Sequence, residues 1–132
     1  MESSSIGIDI VSIARMGQAS KKELFLKRVF TGPELAYAKS RQRPEKHLAG
    51  RFAAKEAVVK ALSRGILSGL SLKEIEVVNG ADGRPSVRLG PGAAEAVAGR
   101  PVHLSISYTR EYAFAFIMIS AAAEAFGREG FK

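Results

Sequence analysis

The sequence predicts an α+β fold in which an antiparallel sheet packs against one long central helix. Three observations carry that expectation. Leu48, Phe52, Val59 and Leu62 recur at the 3.6-residue period, with Ala53, Ala57 and Ala61 beside them. The stretch 48–62 therefore reads as a helix with an apolar stripe and small residues that let a neighbour come close. Runs at 6–11, 102–107 and 112–119 are β-branched, alternating or apolar throughout, and read as strands. Turn-dense segments at 79–85 and 108–111 join neighbouring strands directly, which makes hairpins rather than parallel crossovers.

From the N-terminus, Ile6-Gly7-Ile8-Asp9-Ile10-Val11 is a short buried strand interrupted by one acid, with Gly7 placed for close approach of another backbone or a ligand. Residues 12–15 lead out of it. A helix is expected over 20–29, with Leu24, Phe25 and Val29 inward and Lys21, Lys22, Lys27 and Arg28 outward. Thr31-Gly32-Pro33-Glu34 reads as a helix start, with Thr31 as N-cap and Glu34 closing a capping box. Pro44 breaks the next segment, so the central helix begins near 45–47 and is expected to stop at Gly65. A strand at the end of 72–78, the glycine-rich turn 79–85 and a strand at 86–89 form a hairpin with an exposed basic tip. A short alanine-rich helix over 91–98 ends at Gly99. In 102–107, His103, Ser105 and Ser107 alternate with Val102, Leu104 and Ile106, so one face is polar. Tyr112 to Ile119 is apolar at nearly every position and is expected to be central and covered on both faces, with a loose tail from about 121.

At 132 residues the chain is expected to form a single domain, 1–132, of a size that oligomerisation often completes. Twenty Lys and Arg against thirteen Asp and Glu leave a net charge of +7, which favours an anionic partner. The bias is sharpest between Lys39 and Arg64, which could also be simply a solvated helix face. The absence of cysteine excludes disulfides, a thiolate nucleophile and cysteine-ligated zinc. There is no basic, apolar leader pattern at the start and no apolar run long enough to span a bilayer, so a soluble, cytoplasmic protein is expected.

Two carboxylates stand in expensive places. Asp9 lies among isoleucines on a strand, and Glu56 lies on the edge of the central helix stripe rather than on its far face. Each has an ordinary explanation: Asp9 bonded to nearby backbone N–H groups, and Glu56 paired with Lys60 at i,i+4. Each also suits a hard divalent cation such as Mg²⁺, which in phosphoryl-transfer sites is held by one or two carboxylates plus phosphates and water. Arg51, Lys55 and Lys60 would then bind phosphate oxygens, with Ser105, Ser107 and the tip at Gly83 as neutral donors. Neither His47 nor His103 has a placed partner for a serine nucleophile, and there is no P-loop or GxGxxG pattern.

Four segments in order carry a resemblance: Gly7-Ile8-Asp9-Ile10-Val11, Arg51-Phe52-Ala53-Ala54-Lys55-Glu56-Ala57 with Lys60-Ala61, Gly83-Arg84-Pro85, and Val102-His103-Leu104-Ser105-Ile106-Ser107. Together, spanning about 6–119, they resemble the holo-acyl-carrier-protein synthases, the short bacterial type of 4′-phosphopantetheinyl transferase. The resemblance implies that fold and a Mg²⁺-dependent enzyme. Such an enzyme moves the 4′-phosphopantetheine arm of coenzyme A to a serine hydroxyl of an acidic apo acyl carrier protein, releasing adenosine 3′,5′-bisphosphate in support of fatty acid or polyketide biosynthesis. It places Asp9 and Glu56 on the two metal-binding acids, Lys60 near the pyrophosphate, and Arg51 and Lys55 close to the phosphates. Gly83, Arg84 and Pro85 fall at the adenine end, and Ser105 and Ser107 beside the 3′-phosphate. Glu34 is a candidate for orienting the acceptor hydroxyl or a water, against its capping-box role. Arg15, Met16, Phe25 and Arg28 fall where similar proteins dock the carrier protein, and similar proteins are homotrimers with sites between subunits. Tyr108 departs from the histidine common after Ser-Ile-Ser. It donates one hydrogen bond but carries no positive charge at neutral pH, so a weaker preference for coenzyme A over its 3′-dephospho form is expected.

The competing reading is a small basic nucleic-acid-binding module. It accounts for the charge but not for acids inside a phosphate-binding surface, and aromatic stacking residues are lacking on an exposed strand face. A non-catalytic carrier-protein-binding subunit is the other rival. Neither nucleic acid nor membrane is the expected partner.

Overall fold

The computed structural model describes residues 3–62 and 69–121. Strand β1 (Ser5–Ser12) is followed by helices α1 (Ile13–Ala19), α2 (Glu23–Val29), α3 (Gly32–Lys39) and the long α4 (Pro44–Leu62). After a 3₁₀ turn at Leu72–Glu74 come β2 (Ile75–Asn79), β3 (Pro85–Leu89), α5 (Pro91–Val97), β4 (Val102–Tyr108) and β5 (Tyr112–Ile119). The α+β class and the long helix are as expected. The strands form two antiparallel units, a three-stranded sheet in the order β1-β5-β4 and a separate β2-β3 hairpin.

Small residues set the spacing between α4 and the sheet. Ala53, Ala54, Ala57 and Ala61 of the helix and Ala115, Ile117 and Ile119 of β5 are buried in one cluster. The closest approach is at Gly7 of β1. A Cβ there would overlap the Ala57 carbonyl oxygen and stand 2.8 Å from the Ala61 nitrogen. The glycine therefore lets β1 lie directly on the helix backbone, which fixes the height of Asp9 two residues later. A second apolar cluster joins Ile13, Met16, Val29, Phe30 and Ala38 to Leu48 and Ala49, so the N-terminal helices pack on the first half of α4.

Several expected boundaries differ. Residues 13–19 form a helix rather than a lead-out, because Ser12 caps it by accepting from the Arg15 backbone N–H at 3.2 Å. The helix expected over 20–29 is only α2, and its Leu24 points to solvent. The expected stop at Gly65 and the tail from 122 lie outside the described residues. Strand β5 is central, but among the described residues only one of its faces is covered: Ala113, Ala115, Ile117 and Ile119 are buried, whereas Tyr112 and Phe116 are more than 40% exposed. The same outer face carries Ile6, Ile8 and Ile10 of β1, each more than half exposed. Registration sets Ile8 against Phe116 and Ile10 against Phe114, making one continuous apolar surface.

Candidate active site

Because β1 lies on α4, Asp9 reaches the residues of the helix's second half. The Lys60 ammonium donates to Asp9 Oδ1 at 2.8 Å and to the Ile8 carbonyl at 3.1 Å. Lys60 is thus paired across to the strand rather than at i,i+4 to Glu56. Glu56 remains near enough to feel both. Burial first, then the Asp9 charge, pushes its carboxyl above the usual carboxylate range, and Lys60 opposes them. Asp9 and Glu56 line one groove of about 440 Å³ together with Arg15, Met16, Phe25 and Phe52.

This donor set fits a hard cation. Two carboxylates that repel each other supply oxygen ligands and negative charge, which Mg²⁺ needs and zinc-type sites do not. Among the described residues no cluster of three or more His, Cys, Asp or Glu occurs. The remaining ligands of an ion held by Asp9 and Glu56 would accordingly come from a substrate and water.

A second, cationic constellation surrounds the first half of α4. Arg51 is buried, and its Nη2 donates to Asn79 Oδ1 at 2.5 Å while its guanidinium lies 4.1 Å from the centre of the Tyr37 ring. Its Nε has no hydrogen-bond partner among the described residues, and burial lowers the pKa of the guanidinium. Asn79 in turn donates from Nδ2 to the Gly83 carbonyl at 2.9 Å, so one side chain ties Arg51 to the hairpin tip. The tip is a tight turn with Gly83 at φ +86°, a conformation that favours glycine. The Tyr108 ring packs over Gly50, where a Cβ would come within 3.1 Å of two ring carbons, and Lys46 Nζ lies 4.8 Å from the ring centre.

Between these clusters sits a buried ion pair. Lys55 Nζ is 2.8 Å from Glu34 Oε1, with both side chains fully buried. The lysine also donates to the Leu72 and Ile75 carbonyls at 3.1 and 2.6 Å. Glu34 Oε1 accepts from the Thr31 N–H, completing the capping box of α3, and Oε2 accepts from the Val77 N–H at 2.7 Å. Burial lowers the Lys55 pKa against the pull of Glu34. The pair therefore bolts α3, α4 and the root of the β2-β3 hairpin together.

A family model described as the 4′-phosphopantetheinyl transferase superfamily matches residues 5–117. The chain belongs to that superfamily. It is 45% identical over 118 residues to a holo-[acyl-carrier-protein] synthase of Protochlamydia amoebophila, covering 88% of this chain and 97% of the relative. It is 44% identical over 117 residues to that of Thermodesulfovibrio yellowstonii, covering 87% and 96%. Among solved structures, an ACPS–CoA complex of Chronobacterium ammoniagenes superimposes with a TM-score of 0.80 at 30% identity, covering 92% of this chain and 100% of that one. The holo-(acyl-carrier-protein) synthase of Bacillus anthracis in complex with CoA (3′,5′-ADP) gives 0.75 at 35% identity, covering 89% and 96%. The resemblance read from the four segments, the fold it implied and the enzyme class, a phosphopantetheinyl transferase, are borne out.

In this transferase the expected site residues fall into separate groups. Asp9, Glu56 and Lys60 come together, and of the expected docking residues Arg15, Met16 and Phe25 line their groove. Arg28 is exposed on α2 and does not line it. Arg51, the Gly83-Arg84-Pro85 tip and Tyr108 belong to the cationic side; Arg84 is exposed and held by Asp82 at 3.6 Å. Ser105 and Ser107 point outward from β4, beside Phe116 and Phe114. The Lys55 ammonium and the Glu34 carboxylate face each other in the interior of this chain, not the groove. Sequence reasoning missed Tyr37, Asn79 and the contacts of His47. Asn79 opens a turn, and turn chemistry alone accounted for it.

Proposed function

We propose that the chain transfers the 4′-phosphopantetheine arm of coenzyme A to a serine hydroxyl of an apo acyl carrier protein, with Mg²⁺ held by Asp9 and Glu56 and adenosine 3′,5′-bisphosphate as the leaving product. The observation that carries this reading is the shared groove: the two carboxylates open onto the same surface as Arg15, Met16 and Phe25. That arrangement suits an acidic protein that delivers a hydroxyl to a charged centre.

Bound there, the ion would neutralise charge building on the leaving bisphosphate and lower the pKa of a water able to take the serine proton. The chain's own groups do the rest. Asp9 and Glu56 would hold the ion, and Lys60, released from Asp9, would bind pyrophosphate oxygens. Met16, Phe25 and Phe52 exclude water from one wall of the groove. The hairpin tip, held through Asn79 by Arg51, supports the nucleotide end. Glu34 and Lys55 act by positioning, since their charges are spent on each other and on the backbone.

The working form in this reading is a homotrimer with sites between subunits. Two observations support it. The outer sheet face of Ile6, Ile8, Ile10, Tyr112 and Phe116 is too apolar to be left in water. Glu56 and Arg51, five residues apart, are also about 140° apart around α4, so the acidic and cationic groups of one chain face different ways. One coenzyme touching both kinds of group is then served by two copies. The chain acts as a single domain, 1–132, in the cytoplasm. No helix among the described residues is long and apolar enough to cross a membrane.

The test is mass spectrometry of an apo carrier protein incubated with this protein, coenzyme A and Mg²⁺. A gain of one phosphopantetheine, abolished by EDTA and by Glu56→Gln in a folded variant, is expected. No gain with several acidic carriers would refute the reading, and a monodisperse monomer by light scattering would refute the trimer.

A further inference from the structure

The transferase reading leaves one group unused. His47 sits in the first turns of α4 with its ring packed edge-on to Tyr37, at 5.6 Å between centres and 82°, and to Tyr108, at 6.1 Å and 64°. Arg41 and Arg51 both lie over the Tyr37 ring, at 5.5 and 4.1 Å, and Lys46 lies over Tyr108 at 4.8 Å. The groups on His47 thus come from α3, from the α3–α4 link, from α4 itself and from β4. The charges acting on it, Lys46, Arg41 and Arg51, are all positive. The acid that acts on Arg51 is Glu34, and that carboxylate is committed to Lys55. Arg51 also keeps a buried Nε with no partner among the described residues.

Two outer cations, the buried Arg51 and an imidazole set between two tyrosines, with no carboxylate of their own among the described residues, make a cluster complementary to an anion of more than one charge. We propose that His47 is a specificity-determining residue for the 3′-phosphate end of coenzyme A, docking the phosphate monoester as an imidazolium among Arg41, Lys46 and Arg51. The proposal rests on the transferase reading for the identity of the ligand, and on the geometry of the cluster for the role.

The physical logic is linkage. In the free protein, burial and the three cations favour the neutral imidazole, holding its pKa below the ordinary value. A dianionic phosphate reverses the sign of the local field, so the ring takes up a proton as the phosphate docks. Affinity for the 3′-phosphate then rises as the pH falls through the ligand-bound pKa of His47, and stops rising at its free pKa. The expectation from Tyr108 alone, a weak preference for the 3′-phosphate, changes accordingly. The charge that Tyr108 lacks comes from the ring packed against it.

The simpler alternative makes His47 an aromatic filler between Tyr37 and Tyr108. His47→Phe separates the two, because it keeps the filler and removes the proton. The chain has two histidines, His47 and His103, so their ring C2–H resonances can be assigned with this variant. The His47 pKa is expected to rise on saturation with coenzyme A or adenosine 3′,5′-bisphosphate but not with 3′-dephospho-coenzyme A. Each unit of rise corresponds to about a tenfold gain in preference for the phosphorylated donor. The ratio of kcat/KM for coenzyme A over the dephospho form should therefore grow several-fold from pH 8 to pH 6 in the parent and stay lower in His47→Phe. The donor phosphate's own second ionisation, near 6, affects both proteins equally. An unchanged His47 titration with the 3′-phosphate, or the same ratio and pH profile in the variant, overturns the proposal while leaving the transferase intact. Failure of the parent to transfer at all would instead overturn the transferase reading, and the titration would still decide the role of His47.

Discussion

Substituting Gly7 by Ala asks how far the acid pair depends on the contact between β1 and α4. A Cβ at residue 7 would overlap the Ala57 carbonyl oxygen and stand 2.8 Å from the Ala61 nitrogen and 2.9 Å from the Ala57 carbonyl carbon. All three are helix backbone atoms, so no side chain can swing away. Moving from 2.8 Å to an ordinary 3.4 Å contact with the nitrogen alone lifts β1 by about 0.6 Å, and the oxygen asks for more. Two energies oppose. Alanine recovers about 0.5–1 kcal/mol relative to glycine within a strand, whereas overpacking costs about 1–3 kcal/mol. With only backbone to yield, the upper end applies, and a net loss of about 2 kcal/mol is expected in urea unfolding. Asp9 moves with its strand. Catalytic groups tolerate roughly 0.5 Å, and 1 Å costs about 100-fold, so kcat/KM for phosphopantetheine transfer should fall about 10- to 100-fold. Parental stability would refute the packing argument. Lost stability with full activity would show that the Asp9 position does not depend on this contact.

Three further outcomes follow from the same geometry. In the metal-free protein Glu56 has a raised pKa, so its favourable contribution is present below the ordinary carboxylate range and is lost as the pH rises through the raised value. Glu56→Gln should hence be at least as stable as the parent at neutral pH without metal while losing transfer, and Mg²⁺ should raise the Tm of the parent only. Lys55→Met leaves Glu34 buried and unpaired and should cost about 3–5 kcal/mol by chemical denaturation, with a substantial part recovered in the Glu34→Gln double variant. Arg15→Glu, in the groove wall, should lower kcat/KM for the carrier protein about tenfold at low salt, a deficit that shrinks by 0.5 M salt in stopped-time transfer assays.

The acid pair was legible because a carboxylate flanked by apolar residues is expensive wherever it is placed, and both Asp9 and Glu56 carried that cost in plain view. Gly7 was legible as a point of close approach, though not what it would approach. The partner of Lys60 was not. Spacing along one helix offers Glu56 at i+4, and only the strand packed on that helix offers Asp9. Lys55 failed for a related reason. A lysine in a basic cluster beside a carboxylate reads as a phosphate ligand, whereas its burial depends on Glu34 and two carbonyls more than 15 residues away. The capping box that holds Glu34 was readable from Thr31-Gly32-Pro33-Glu34, yet the second job of that carboxylate was not. Strand β5 misled in the other direction, since a continuous apolar run looks covered on both faces when the described residues cover only one.

That half-covered sheet also bears on how the protein should be handled. In the homotrimer proposed above, a contact built on Ile6, Ile8, Ile10 and Phe116 would draw its strength from releasing water, and that strength would fade on cooling. Chilled, dilute stocks would then drift toward separate chains. Specific activity would depend on storage temperature and concentration, and would return on warming.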